Sequence, residues 1–123
     1  MNILIAEDNT TNQTLLKYFL IKENYNFIFA NDGREALLLF QKNKFDLVLM
    51  DMEMPVMDGI EATRRIRIID DRIPIIAISA YIEDAIIKSS FDAGVNEYLT
   101  KPYNRQDILS LISKHINFDA ITN

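Results

Sequence analysis

Short apolar runs alternate along the chain with amphipathic stretches of about three or four helical turns. The runs cover residues 3–6, 25–30, 45–50, 74–78 and 96–99, and each is rich in Ile, Val, Leu, Phe or Tyr. Such side chains suit a pleated surface, so these five runs are predicted strands. Between them, helices are predicted over 10–22, 33–42, 57–69, 83–93 and 104–117. The inner stripe of the first is Leu15, Leu16, Phe19 and Leu20; of the third, Ala62, Ile66 and Ile69; of the fifth, Ile108, Leu111, Ile112 and Ile116. Asp32-Gly33 suits the turn into the second helix, and Gly94 suits the stop of the fourth.

Alternating strand and helix implies a parallel sheet with helices on both faces, joined by right-handed crossovers. Five strands, with acids ending the first and third, fit an α/β flavodoxin-like doubly wound fold in the order 2-1-3-4-5 with five helices. The switch point then falls between strands one and three. At 123 residues the chain reads as one domain over 1–118, followed by a C-terminal tail over 119–123.

The net charge of −5 argues against a nucleic-acid surface, because phosphate binding needs clustered Lys and Arg. The densest basic group, Arg64, Arg65 and Arg67, reads as a solvated helix face. With no cysteine, disulfides, thiolate catalysis and zinc–thiolate sites are excluded. No apolar run approaches the ~20 residues of a membrane span, so membrane insertion is not expected and a cytoplasmic setting is.

The polar outliers gather at the ends of the apolar runs. Glu7 and Asp8 follow the first, Asp51 the third and Ser79 the fourth, while Lys101 follows the fifth. Three carboxylates, a hydroxyl and an ammonium converging on one sheet edge suit a phosphoryl group with Mg²⁺. The acids would hold the metal, and Ser79 and Lys101 would neutralise phosphoryl oxygens. Asp51, central among them, is the best-placed nucleophile for an aspartyl phosphate.

With these residues in order, the chain resembles the receiver domains of two-component response regulators over essentially its whole length. The motifs are Glu7-Asp8, Asp51 within Leu-Met-Asp-Met-Glu-Met-Pro-Val-Met-Asp-Gly, Ser79 within Ile-Ser-Ala, and Lys101-Pro102. The phrases around Glu7-Asp8 and Asp51 are most similar to receivers of hybrid sensor histidine kinases. A receiver cut from a hybrid kinase and a free-standing single-domain regulator both fit.

The resemblance implies that Asp51 takes phosphate from a histidine kinase or histidine phosphotransfer protein. Glu7, Asp8 and Asp51, with the backbone carbonyl of Glu53, would bind Mg²⁺, with Mn²⁺ as a substitute. It implies a cis peptide before Pro102, a Ser79–Tyr98 switch, and Glu53 and Tyr81 as tuners of phosphoryl lifetime. It also implies a signalling phosphoacceptor that assists its own phosphorylation and dephosphorylation, not an enzyme in the ordinary sense. The surface of the fourth helix, fifth strand and fifth helix is the corresponding homodimer face.

Competing readings stand beside this one. Tyr98 also reads as an ordinary core tyrosine. On the fourth helix, Ile82, Ala85, Ile86 and Ala93 suffice for a buried stripe; Ile87 and Phe91 form either deeper burial or an exposed patch for a partner. His115, read as having no neighbouring carboxylate, is expected to be a structural or surface histidine and not a phosphoacceptor. A haloacid-dehalogenase-like phosphatase would use Asp51 and Glu53, but expects an Asp at 53 and an earlier nucleophile. A flavodoxin-like cofactor binder would need a phosphate loop after the first strand, which this chain lacks. A degenerate receiver would lack one of the five site residues, and all five are present.

Overall fold

In the computed structural model, which describes the backbone of residues 1–122 and the side chains of residues 1–116, the apolar runs become β1 (Asn2–Ala6), β2 (Asn26–Ala30), β3 (Leu47–Asp51), β4 (Ile75–Ser79) and β5 (Glu97–Thr100). They form one parallel sheet in the order β2-β1-β3-β4-β5. The intervening helices are α1 (Thr10–Leu20), α2 (Gly33–Lys42), α3 (Gly59–Ile69), α4 (Asp84–Ala93) and α5 (Arg105–Thr122), with a short 3₁₀ turn over Ile21–Glu23 after α1. The expected order and helix count therefore hold. The expected tail over 119–123 falls where side chains, and at 123 the backbone too, lie outside the described residues.

The strand sequences explain the layering. Side chains alternate across a sheet, so successive residues of β1, β3 and β4 serve opposite faces. Leu4, Val48, Met50, Ile75 and Ala77 pack with Ala36 and Phe40 of α2 and Ala62 and Ile66 of α3. Ile3, Ile5, Leu47, Leu49, Ile76 and Ile78 pack with Leu16 and Leu20 of α1 and Ile108 and Ile112 of α5. Each fully buried Ile or Leu contributes about 1.5–3 kcal/mol of transfer free energy. Burial on both faces is why these runs are almost continuously apolar.

Asp32 and Asp58 cap α2 and α3, accepting hydrogen bonds from the Glu35 and Glu61 amides at 2.8 and 2.9 Å. Gly94 ends α4 with φ 123°, a conformation that disfavours any residue with a Cβ. The Arg67 side chain ties this corner together, donating to the Gly94 carbonyl at 2.9 Å and to Asn96 Oδ1 at 2.9 Å.

Several expected stripes are narrower in the fold. Leu15 and Ile69 are exposed: Leu15 lies beside Pro102 and Tyr103, and Ile69 is the last residue of α3. On α4 the inward row is Ile86, Ser90 and Ala93, at helical spacings of four and three. Ile82 precedes that helix in an exposed loop, and Ala85 faces solvent. Ile87 is half-buried, whereas Phe91 is 46% exposed, which decides between the two readings of that residue. β3, β4 and β5 also run one residue further than expected at the carboxyl edge, so Asp51 and Ser79 end β3 and β4 from within.

Candidate functional site

The carboxyl ends of β1, β3, β4 and β5 lie side by side, so residues far apart in sequence meet at one edge. Asp51 is buried at the end of β3. Its Oδ1 accepts the Glu53 amide at 2.8 Å, and its Oδ2 accepts from Lys101 Nζ at 2.9 Å. The same Nζ lies 3.6 Å from Glu7 Oε1. Glu7 is buried too: its Oε2 accepts the Asn9 amide at 3.0 Å, and its backbone carbonyl accepts from Gln13 Nε2 at 2.6 Å. The Lys101–Pro102 peptide is cis.

Carboxylate oxygens of Glu7, Asp8 and Asp51 lie within 4.8 Å of one another. Glu7 and Asp51 are buried, whereas Asp8 is exposed at the cleft mouth. Gathered carboxylates of this kind fit a hard divalent cation, which prefers oxygen ligands with water completing the shell. Burial pushes the Asp51 carboxyl up to about 7, against the hydrogen bonds from Lys101 and the Glu53 amide and with the help of the Glu7 charge. Burial would lower the pKa of Lys101, but the hydrogen bond and charge of Asp51, joined by Glu7 and Glu53, raise it. A positive charge beside Asp51 is therefore what this pocket calls for.

Ser79 is fully buried at the end of β4. Its Oγ donates to Glu53 Oε1 at 2.8 Å and accepts the Tyr81 amide at 3.0 Å. Glu53 Oε1 also accepts the Ala80 amide at 2.9 Å. Burial alone would raise the Glu53 carboxyl, but these donors and Asp51 hold it below the ordinary glutamate value. Tyr98 is half-buried within β5, and its hydroxyl donates to the Tyr81 carbonyl at 2.9 Å. Tyr81 is itself half-exposed and lines a cleft of about 580 Å³ with Asp8, Glu53 and Met54.

Every residue singled out from sequence for this edge is present at it. His115 is not: it lies with Met1, Asp46 and Leu47 at the amino end of the sheet. It does have a carboxylate neighbour, contrary to expectation, because Nε2 stands 3.2 Å from Glu97 Oε1. That contact spans 18 residues and has no local sequence signal. Sequence reasoning also missed the Glu53 side chain's reach to Ser79 and Ala80, and the support Gln13 gives Glu7. Gly59 was visible as part of the Asp58-Gly59 motif, yet its reason is tertiary. A Cβ there would collide with the Asp51 carbonyl, so only glycine lets α3 start against the end of β3.

The response regulator receiver domain family matches residues 3–113. The chain is 37% identical over 123 residues to hybrid signal transduction histidine kinase I of Dictyostelium discoideum, covering 93% of this chain but only 7% of that protein. The receiver domain of sensor histidine kinase PA1611 from Pseudomonas aeruginosa, solved with magnesium in its active-site cleft, superposes with a TM-score of 0.88. Identity there is 35%, with 94% of this chain and 97% of that one covered. In a Saccharomyces cerevisiae co-crystal of the phosphotransfer protein Ypd1 with the Ssk1 receiver domain, the match has a TM-score of 0.85 at 32% identity. It covers 92% of this chain and 86% of that one. With five parallel strands in the receiver order and an acidic cleft at their carboxyl edge, this chain belongs to the response regulator receiver domain family.

Proposed function

We propose that this domain accepts a phosphoryl group on Asp51 from the phosphohistidine of a histidine kinase or histidine phosphotransfer protein. The observation that carries the reading is the placing of Asp51 between Lys101 Nζ at 2.9 Å and the Glu7–Asp8 carboxylates. A buried Asp with a cation on one oxygen and a metal-suited acid cluster nearby is an equipped nucleophile.

Glu7, Asp8, Asp51 and the backbone carbonyl of Glu53 would hold Mg²⁺, or Mn²⁺ in its place. When bound, the ion supplies positive charge to the phosphoryl oxygens and keeps Asp51 ionised. Asp51 attacks phosphorus in line, and the bond to the donor breaks as the new acyl phosphate forms. Lys101 follows the negative charge from the carboxylate to the phosphoryl oxygens. Ser79 supplies a hydroxyl on the β4 side.

The output is a population shift, with Ser79 and Tyr98 as its moving parts. Ser79 touches Tyr81 through its Oγ, and Tyr98 touches Tyr81 through its hydroxyl, so movement of Ser79 reaches the α4–β5 surface. Glu53 and Tyr81 tune how long the phosphoryl group lasts. The surface of α4, β5 and α5 serves a partner or a second copy. The domain signals without binding nucleic acid directly and without membrane insertion, in the cytoplasm. Among the described residues, no helix is long and apolar enough to cross a membrane.

The test is direct. With Mg²⁺ and acetyl phosphate, intact mass should show one acid-stable, hydroxylamine-labile phosphate adduct that disappears in Asp51→Asn. Steady hydrolysis of many phosphate monoesters, with no adduct, would instead assign a phosphatase.

A further inference from the structure

We propose that the Glu53 carboxylate is an internal stand-in for a phosphoryl oxygen, and that phosphorylation of Asp51 requires its displacement. The inference rests on the assignment of Asp51 as phosphoacceptor. Glu53 follows Asp51 by two residues, and its amide is fixed on Asp51 Oδ1 at 2.8 Å. From that anchor its side chain crosses from the end of β3 to the end of β4. There a single oxygen, Oε1, takes the Ser79 hydroxyl at 2.8 Å and the Ala80 amide at 2.9 Å.

Two donors converging on one anionic oxygen form an anion site. They stand beside the nucleophile, so they are also the β4 donors that a phosphoryl group on Asp51 would meet. A serine hydroxyl and a backbone amide each carry one proton to donate. While Glu53 holds both, neither can be given fully to a phosphoryl oxygen. Occupation by Glu53 and by phosphate is therefore mutually exclusive at this pair. The negative charges of the two also repel. Glu53 has somewhere to go, because it already lines the open cleft shared with Met54 and Tyr81.

The displaced bond is the first link of a chain. Glu53 binds Ser79, Ser79 Oγ accepts from the Tyr81 amide, and the Tyr81 carbonyl accepts from Tyr98. Release of Glu53 frees Ser79 to turn toward Asp51, and the Tyr81 amide loses or lengthens its bond. Glu53 thus acts as a positioning residue that opposes the phosphorylated form until phosphate itself outcompetes it.

The experiment uses the full chain with Mg²⁺ and acetyl phosphate. In that reaction an Asp51 oxygen bonds to phosphorus while acetate departs with the electron pair of the broken P–O bond, and no proton is consumed. Removing a competitor held by two charge-assisted hydrogen bonds should raise the initial labelling rate and the affinity for beryllofluoride roughly tenfold in Glu53→Ala. Glu53→Gln, which keeps an acceptor but no charge, should fall between Glu53→Ala and the parent. In a Ser79→Ala background the gain from Glu53→Ala should shrink, since one of the two contested donors is gone. A gain of the same size in both backgrounds would mean simple charge repulsion and overturn the stand-in. So would a parent protein that labels at Asp51 while Glu53→Ala labels no faster and binds beryllofluoride no tighter. A parent protein that does not label at all overturns the phosphoacceptor assignment instead, a result distinct from the other two.

Discussion

The Lys101 ammonium lies 2.9 Å from Asp51 Oδ2, across 50 residues of chain, and 3.6 Å from Glu7. One cation thus serves two buried carboxylates. Lys101→Ala should slow acetyl-phosphate labelling of Asp51 by about 100-fold, the scale of losing one preorganised donor to developing charge. Intact-mass time courses would measure this. Labelling at near-parental rate would show that Lys101 is a structural counter-ion only.

The Asp51 carboxyl, raised by burial to about 7, predicts a specific pH dependence for metal-free protein. The native state binds this proton more tightly than the unfolded chain, whose carboxyl titrates near the ordinary value. Between the two values folding takes up a proton, so this group's contribution to stability falls as pH rises from about 4 to about 7 and is level above. Asp51→Asn, which stays neutral, should lose that slope and be the more stable protein at pH 8 without metal. Added Mg²⁺ should shift the Asp51 titration in the parent to lower pH. Denaturant melts across pH and carbon-detected NMR of the carboxyl would check both; a flat difference between the two proteins removes the claim.

Gly59 packs its α-carbon against the Asp51 carbonyl and Met52. Gly59→Ala should cost roughly 2 kcal/mol or more, because the most obstructing atom is the Asp51 backbone carbonyl oxygen, which cannot step aside as the Met52 side chain could. It should also move Asp51, lowering labelling beyond what the stability loss explains. Urea denaturation gives the first quantity and labelling at low temperature the second.

Phe91 is 46% exposed on α4. Phe91→Ala should therefore change stability by less than about 1 kcal/mol and leave Asp51 labelling intact. Any weakening should appear in self-association, read by sedimentation, or in partner binding. A large drop in melting temperature would place Phe91 in the core after all.

Tyr81 holds Ser79 and Tyr98 through its backbone, so its ring is free to act separately. Tyr81→Ala keeps those bonds and opens the cleft wall. The phosphorylated form should then decay several-fold faster, as phosphate release from isolated adduct would show. Unchanged decay means the ring does not shield the phosphoryl group.

The fold was legible because its signals are local and repeated. Burial on both faces demands continuous apolar runs such as 47–50 and 75–78, and helices between them show a one-sided stripe. Where stripes were misread, the cause was tertiary position. Leu15, Ile69 and Ile82 look apolar enough to be core, but each lies where its neighbours leave it largely open to solvent. The strand-end rule also placed the candidate residues, since each of Glu7, Asp8, Asp51, Ser79 and Lys101 lies at or just past the carboxyl end of its strand.

By itself, then, the sequence determined the alternation of strand and helix and the residues that end each strand, because periodicity and strand-end placement are properties of short segments; the strand order followed from fitting that alternation to a known fold. Only the tertiary structure decided the partners: that Lys101 bridges Asp51 and Glu7, that Glu97 stands beside His115, and that Glu53 turns its side chain onto Ser79 and Ala80. Those choices depend on distances between separate strands and on competition among donors for one acceptor, and neither is written in the spacing along a chain.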